Sequence, residues 1–370
     1  MKILIAGDFC PQNRVAELFE KCDYASVLGE MKPIIEQADY SIVNFECSVI
    51  KGGEKPIMKQ GRNLHCSEKG MEAIKWAGFD CVTLANNHFR DYGEEGICNT
   101  LKTISEYGLD SVGGGMNIQE AAKILYKEID GKTLAIINCC EHEFSIATNT
   151  SAGSNPLNPI QQYYAINEAR AKANYVLVIV HGGHEMWQLP SPRMVETYRF
   201  FIDVGADAVV NHHQHCYSGY EMYRGKPIFY GLGNFCFDKL GYYEGLWEYG
   251  YMVSIIFFND IKMTIHPYTQ CKQEPKNIQL KDRIQFDKEM QRLNTIIASP
   301  NSLQKMTDAY YTKQLQSTRM AFEPYRGHIL SKLYLKGGLY SFLNKRKILK
   351  LRNMIETEAH RDKTLFFLTH

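Results

Sequence analysis

Through the first two-thirds of the chain, short apolar runs alternate with longer stretches whose apolar residues recur at helical spacing. Lys2–Ala6, Tyr40–Asn44, Cys81–Leu84, Tyr175–Val180 and Ala208–Val210 are brief aliphatic or β-branched runs that predict buried strands. Helices are predicted around Val15–Phe19 and over Glu68–Trp76, Glu94–Tyr107, Ile160–Ala173 and Met194–Val204. Gly78 and Gly108 stand just past two of them, where a left-handed residue closes a helix. Asp130-Gly131, between Leu125–Ile129 and Thr133–Asn138, predicts a tight hairpin. Pro227–Tyr230, Tyr251–Phe258 and Lys262–His266 complete a strand-rich region. Strand–helix alternation implies a mostly parallel sheet with helices outside it, and the added hairpins imply a mixed second sheet packed against the first.

Past Thr269 the pattern changes. Lys272-Gln273-Glu274-Pro275-Lys276 reads as a linker, and Phe286–Ile297 and Ser302–Gln316 read as helices. One α/β domain is therefore expected over 1–270 and a helical, basic C-terminal extension over 271–370. From Pro324 to Ile355 there is no Asp or Glu, while Arg326, Lys332, Lys336, Lys345, Arg346, Lys347, Lys350 and Arg352 are interleaved with Leu, Tyr, Phe and Ile. Such a segment is either a solvated helical face or a surface that docks on an anionic membrane or partner.

Composition narrows the function classes. With 45% apolar residues and a net charge of +1 in 370 residues, the chain is an ordinary globular protein. Nucleic acid is a poor partner for so balanced a charge. No run approaches the ~18 apolar residues of a membrane span, and Ile3–Ala6 is cut short by Asp8, too early for a signal-peptide core. A cytoplasmic chain is expected, with the basic tail as its route to peripheral contact at the inner membrane surface. The eleven scattered cysteines, without a CxxC, read as reduced residues rather than a disulfide framework or thiolate zinc site.

Each predicted parallel strand ends in polar chemistry: Gly7-Asp8, Asn44-Phe45-Glu46, Ala85-Asn86-Asn87-His88 with Asp91, His181-Gly182-Gly183-His184-Glu185, and Asn211-His212-His213-Gln214-His215. Ligands of open α/β sheets bind at such strand ends. If Asn211–His215 stays extended, His213 and His215 point the same way and can meet one metal. Singly, Asp8 reads as a turn residue, Asn86-Asn87 as a turn and His181 as a core histidine; one metal site accounts for all five clusters together. Asp8, Glu46, Asn87, His181, His213 and His215 suffice as ligands for two divalent ions, and oxygen with imidazole suits Mn²⁺, Fe²⁺ or Zn²⁺. A carboxylate bridging two ions about 3.5–4 Å apart, with a water activated near neutral pH, is the arrangement of two-metal hydrolases. His88 then protonates the leaving group or stabilises transition-state charge. His184 and His212 neighbour better candidates, as second-shell or exposed residues. His65, His142, His266, His328, His360 and His370 have no comparable context. Gly113-Gly114-Gly115 is a turn rather than a dinucleotide fingerprint, and neither a P-loop nor a nucleophile elbow occurs.

The order of these motifs resembles the bacterial capsule-synthesis (CapA, poly-γ-glutamate capsule biosynthesis) family over roughly Met1 to Thr269. The likeness rests on Gly7-Asp8, Asn44-Phe45-Glu46, Ala85-Asn86-Asn87-His88 with Asp91-Tyr92-Gly93, Gly113-x-Gly115, His181-x-Gly183-x-Glu185, His213-x-His215 and Pro227-Ile228-Phe229-Tyr230-Gly231-Leu232-Gly233-Asn234-Phe235. That family is similar in fold to calcineurin-like metallophosphatases. The resemblance implies a four-layer α-β-β-α sandwich of the metallo-dependent phosphatase type with a two-metal site at its strand ends. It implies the six ligands above, His88, Asp91 and Glu185 as catalytic residues, and Asn44, His184, His212 and Asn234 in the substrate or second shell. The phosphatases carry a histidine where this chain has Cys10, so one ion's ligand set differs from theirs. The expected function is a dinuclear metal-dependent hydrolase acting by metal-bound hydroxide on a phosphoester or an envelope-polymer amide or ester, in capsule, poly-γ-glutamate or polysaccharide biosynthesis. The alternative is a non-catalytic assembly component that binds an anionic polymer.

Overall fold

The computed structural model describes residues 1–241, 245–258, 260–325 and 327–369; Arg326 and His370 lie outside the described residues. The chain divides into two compact units, Met1–Leu303 and Gln304–His370.

Among the described residues, the first unit holds one eight-stranded and one six-stranded sheet. Lys2–Phe9 is central to the larger sheet. On one side run Tyr40–Phe45, Cys81–Thr83 and Asp110–Val112, all parallel. On the other run Tyr249–Ile256, Lys262–Gln270 and Asn277–Gln279, all antiparallel. Asn234–Cys236 pairs parallel with the end of Lys2–Phe9. In the smaller sheet Lys132–Cys140, Tyr175–His181, Ala208–His212 and Lys226–Phe229 are parallel. Leu125–Ile129 and Tyr220–Tyr223 are its antiparallel edges. Asp130 and Gly131 both take positive φ, the turn that an Asp-Gly hairpin demands.

Tyr40–Phe45 is buried at every position, as expected of a strand covered on both faces. On one face Phe19, Tyr24, Met71 and Ile74, from helices Asn13–Glu20, Tyr24–Leu28 and Lys69–Ala77, pack with Phe9, Val43 and Phe45. On its other face the larger sheet meets the smaller one. Asn138 stitches the two: its Oδ1 accepts from the Leu84 and Ala85 amides at 3.2 and 2.7 Å, and its Nδ2 donates to the Ile179 carbonyl at 3.1 Å. Helices Pro159–Lys172 and Pro192–Val204 cover the smaller sheet, with Tyr198 stacked on Tyr230. The layers are α-β-β-α, with the parallel strands of both sheets ending on one edge.

Two sequence expectations change. Lys272–Lys276 is the turn of a hairpin rather than a linker: the Cys271 amide donates to the Lys276 carbonyl at 3.1 Å, and Asn277–Gln279 joins the larger sheet. The first unit also runs past 270, because helix Ile284–Ala298 buries Phe286, Met290, Leu293 and Ile297. Asn294 Oδ1 accepts from the Tyr220 amide at 2.8 Å, fixing that helix on the smaller sheet's edge. The second unit is helical, and Lys345–Glu356 and Glu358–Thr369 follow one another across Thr357. No helix among the described residues is long and apolar enough to cross a membrane.

The register of Lys2–Phe9 against Tyr40–Phe45 slips between Ala6 and Asp8. A bulge there re-aims the following side chain, and it is Asp8 that turns to the edge where the strands end. The slip needs a close backbone approach: a Cβ on Gly7 would lie 1.9 Å from the Gly233 carbonyl oxygen. Gly7→Ala is therefore expected to destabilise the protein by about 3 kcal/mol, the upper range of core overpacking, with a lowered midpoint in chemical denaturation.

Candidate metal centre

Five strand ends deliver one buried cluster. Asp8 comes from Lys2–Phe9, Glu46 from the residue after Tyr40–Phe45, and Asn87 from the loop after Cys81–Thr83. His181 closes Tyr175–His181, and His213 and His215 follow Ala208–His212. Two groups of candidate ligands form, Glu46–His181–His213 and Asp8–Glu46–His215, the chosen atoms of each lying within 4.8 Å of one another. Glu46 belongs to both.

Distances within the cluster suit cations. Glu46 Oε1 is 3.6 Å from His181 Nε2 and 3.7 Å from His215 Nε2. His213 Nδ1 is 3.1 Å from His181 Nε2, and Asn87 Oδ1 is 3.0 Å from that same nitrogen. Donors about 2.1 Å from a tetrahedral ion stand roughly 3.4 Å apart. The decisive atoms are Glu46 Oε1 and Oε2, fully buried with no hydrogen-bond partner. A buried carboxylate without donors is strongly unfavourable, and a cation removes that penalty. The residues present therefore fit divalent cations.

Electrostatics support the same assignment. Burial, and then repulsion from Asp8, push the Glu46 carboxyl well above the usual carboxylate range. Burial would also raise Asp8, but His212, His215 and Asn44 outweigh it and hold Asp8 below its ordinary value. Burial, followed by repulsion from neighbouring rings, lowers His181 and His213, and burial lowers His215 against the opposing pull of Asp8 and Glu185. These three imidazoles are thereby kept neutral, the form in which a ring nitrogen can ligate.

The route by which His213 and His215 converge differs from expectation. The strand stops at His212, and His213 and His215 take φ of +89° and +53°, left-handed values rare outside glycine. Their rings face each other through a strained loop, 6.1 Å between centroids, rather than by strand alternation. They also divide between the two ligand groups instead of meeting one ion.

The remaining candidates surround this core. Asn44 Nδ2 donates to Asp8 Oδ1 at 2.8 Å and stands 3.3 Å from His181 Nδ1, while Asn44 Oδ1 accepts from Thr83 at 3.1 Å. Asn234 Oδ1 is 2.9 Å from His215 Nδ1. His212 is buried with Nδ1 3.3 Å from Asp8 Oδ1, an ion-pair distance whose geometry falls short of a hydrogen bond. His88 Nδ1 lies 2.6 Å from Asp91 Oδ2. Asp91 is wholly buried and also accepts from the Leu64 amide at 2.6 Å, so it orients His88 and the neighbouring loop. Exposed Glu185 lines a cavity of ≈ 390 Å³ together with Asn87, His88 and His215. His184 is half-buried and belongs to neither ligand group.

Sequence reasoning missed two contributors. Lys59 is ion-paired with Asp91 and stands 3.1 Å from His88 Nδ1, its side chain 2% exposed. Trp247 packs over His215 at 4.7 Å between centroids. Neither carries a local signal: Lys59 sits in a Gly- and Lys-rich loop that reads as solvated, and Trp247 in a short turn far along the chain.

Comparison with known proteins agrees with the motif order. The family model for bacterial capsule synthesis protein PGA_cap matches residues 2–239. A capsule biosynthesis protein CapA of Bacillus anthracis is 33% identical over 247 residues, covering 65% of this chain and 60% of that protein. A PGA biosynthesis protein CapA of Bacillus subtilis (strain 168) is 32% identical over 237 residues, covering 63% and 62%. The match thus spans about three-fifths of the length of these relatives. Among solved structures, one described as a novel phosphatase of Mycoplasma pneumoniae is 15% identical with a TM-score of 0.46, covering 73% of this chain and 93% of that one.

Two outcomes are expected at this centre. At Mn²⁺ about a hundredfold above Kd, the wild type should gain roughly 2.7 kcal/mol of stability over its chelator-treated form. Glu46→Gln should gain none of this, while its metal-free stability holds or rises because a neutral amide escapes the cost that burial and Asp8 impose on an ionisable carboxyl. Denaturant titrations with and without chelator measure both. Since burial pushes the Glu46 carboxyl up when no cation is bound, ion uptake should expel a proton wherever Glu46 is protonated, and affinity should climb with pH. Calorimetric heats that do not vary with buffer ionisation enthalpy would show that Glu46 is already charged.

Proposed function

We propose, for a chain that belongs to the bacterial capsule synthesis protein PGA_cap family, that its buried carboxylate–imidazole cluster holds two divalent ions and hydrolyses an anionic substrate. Asp8, Glu46 and His215 would hold one ion, and Glu46, His181 and His213, with Asn87, the other. The observation that carries this reading is the Glu46 carboxylate, shared by both groups and without a hydrogen-bond partner. When bound, such ions supply Lewis acidity and an activated water.

The chain's own residues supply the rest. His88 Nδ1 is committed to Asp91, which leaves Nε2 as the ring nitrogen that exchanges a proton with a leaving group. Lys59 neutralises Asp91 and fixes the loop that walls the cavity. Arg62 and Lys239 line the same cavity and draw in negative charge, while Trp247 and Phe237 give it an apolar wall that excludes water. Phosphoesters and the γ-glutamyl amides of an envelope polymer both fit a two-ion site of this kind. The family's link to capsule and PGA biosynthesis favours an envelope polymer or its precursor as the substrate. The second reading, an assembly component that only binds an anionic polymer, draws on the same Arg62 and Lys239.

A screen of the Mn²⁺-loaded protein against phosphomonoesters, phosphodiesters and γ-glutamyl peptides separates the readings. Metal-dependent turnover of one class supports the hydrolase, whereas polyglutamate binding without turnover supports the assembly component. In the first case His88→Ala should retain both ions while losing about 10²–10⁴-fold in kcat, the usual contribution of a general acid. Loss of metal in that variant would make His88 a ligand instead.

A further inference from the structure

The second unit exposes apolar and basic side chains side by side, and the candidate site uses none of them. In helix His328–Leu335, Ile329, Leu330 and Leu333 are 73%, 44% and 44% exposed, and their spacing places them along one face. Tyr340 and Phe342, further along the chain, are also exposed. Helix Lys345–Glu356 buries none of its residues, and Ile348, Leu349 and Ile355 stand open among Lys345, Arg346, Lys347 and Lys350. Among the described residues, Arg352 pairs with Glu356, but those four cations form no ion pair. The nearest preceding carboxylate, Glu323, is turned inward, accepting from Tyr334, Ser341 and the Phe342 amide.

We propose that this unit docks the protein on an anionic phospholipid surface. The charge pattern calls for a negatively charged partner, since from Pro324 to Ile355 nothing acidic offsets the cations. The apolar side chains then choose among such partners. A hydrophilic polyanion such as polyglutamate would satisfy the lysines and arginines but leave Ile329, Leu330, Leu333, Ile348 and Leu349 in water. An anionic bilayer satisfies both: headgroups meet the cations and the acyl boundary takes up the aliphatic groups. Lys and Arg suit that boundary because their stems lie along apolar surface while their charges stay with the headgroups.

The test is co-sedimentation of the full chain with vesicles of phosphatidylcholine containing about one quarter phosphatidylglycerol, at about 50 mM salt, where surface charge is weakly screened. The protein should sediment with these vesicles, not with phosphatidylcholine alone, and should be released progressively as salt rises. A Lys345→Glu/Arg346→Glu/Lys347→Glu variant should bind at least about 100-fold more weakly, since each basic residue near such a surface contributes about fivefold. A separate Ile329→Ser/Leu330→Ser/Leu333→Ser variant should lose about tenfold or more per side chain that the bilayer buries. These residues are exposed, so far-ultraviolet circular dichroism and Mn²⁺ uptake should match wild type and exclude misfolding. No sedimentation at low salt would overturn the proposal, as would sedimentation that neither variant weakens. Soluble polyglutamate bound in a charge-dependent way, with the serine variant as tight as wild type, would overturn it in favour of a polymer-binding surface.

Discussion

A carboxylate with nothing to donate to it is the constraint on which the centre of this protein depends. Glu46 is sealed from solvent, and its two oxygens accept no hydrogen bond. Chains rarely bury a carboxylate in this way, because the desolvation penalty then goes unopposed. The surroundings deepen the problem: Asp8 is close enough to repel it. The nearest nitrogens belong to His181 and His215, whose protonation burial disfavours. Bound cations would reconcile these features in one step, since they would take the carboxylate oxygens and the neutral ring nitrogens together.

The fold meets this constraint with two sheets rather than one. Asp8 and Glu46 come from strand ends of the larger sheet, and His181, His213 and His215 from strand ends of the smaller, so the cluster exists only where the sheets face each other. Asn138 therefore matters at a distance. By holding the Leu84 and Ala85 amides of one sheet to the Ile179 carbonyl of the other, it sets the separation across which the ligands meet. The slip at Gly7 and the left-handed backbone at His213 and His215 then supply the last adjustments of direction. Strain of this kind persists where surrounding structure over-determines it, and here both sheets do so.

Much of this was legible in the sequence. Apolar runs located the parallel strands, and the residue types at their ends located the side chains that gather in the buried cluster, because strand ends are a topological property that a one-dimensional pattern carries. Motif order added the family and with it the layered sandwich. What stayed hidden depends on approach in space. Extended geometry predicted that His213 and His215 share a side for one ion, yet the strand stops one residue earlier and the two rings serve different ligand groups. Lys59 gave no signal because its role arises only when a long loop folds back over Asp91. The stretch at Lys272–Lys276 read as a linker from composition, but Asn277 anchors the strand Asn277–Gln279 by donating to the Phe235 carbonyl at 2.6 Å.

Three other buried acids of the first unit are accommodated differently from Glu46. Asp91 is met by Lys59, Asp238 by Arg14, and Asp207 by both Arg170 and Lys226. In each case the chain brings its own permanent cation to the carboxylate, which is how a buried acid is ordinarily accommodated. Asp8 and Glu46, by contrast, have no Lys or Arg partner among the described residues, only imidazoles and, for Asp8, the Asn44 side-chain amide and the His213 backbone amide. Lys59 reaches within 3.1 Å of His88 and yet pairs with Asp91, leaving Glu46 alone. That lysine is spent on Asp91 and, through it, on orienting His88. Glu46 departs from that pattern, as would a carboxylate whose counter-charge is supplied from outside the chain.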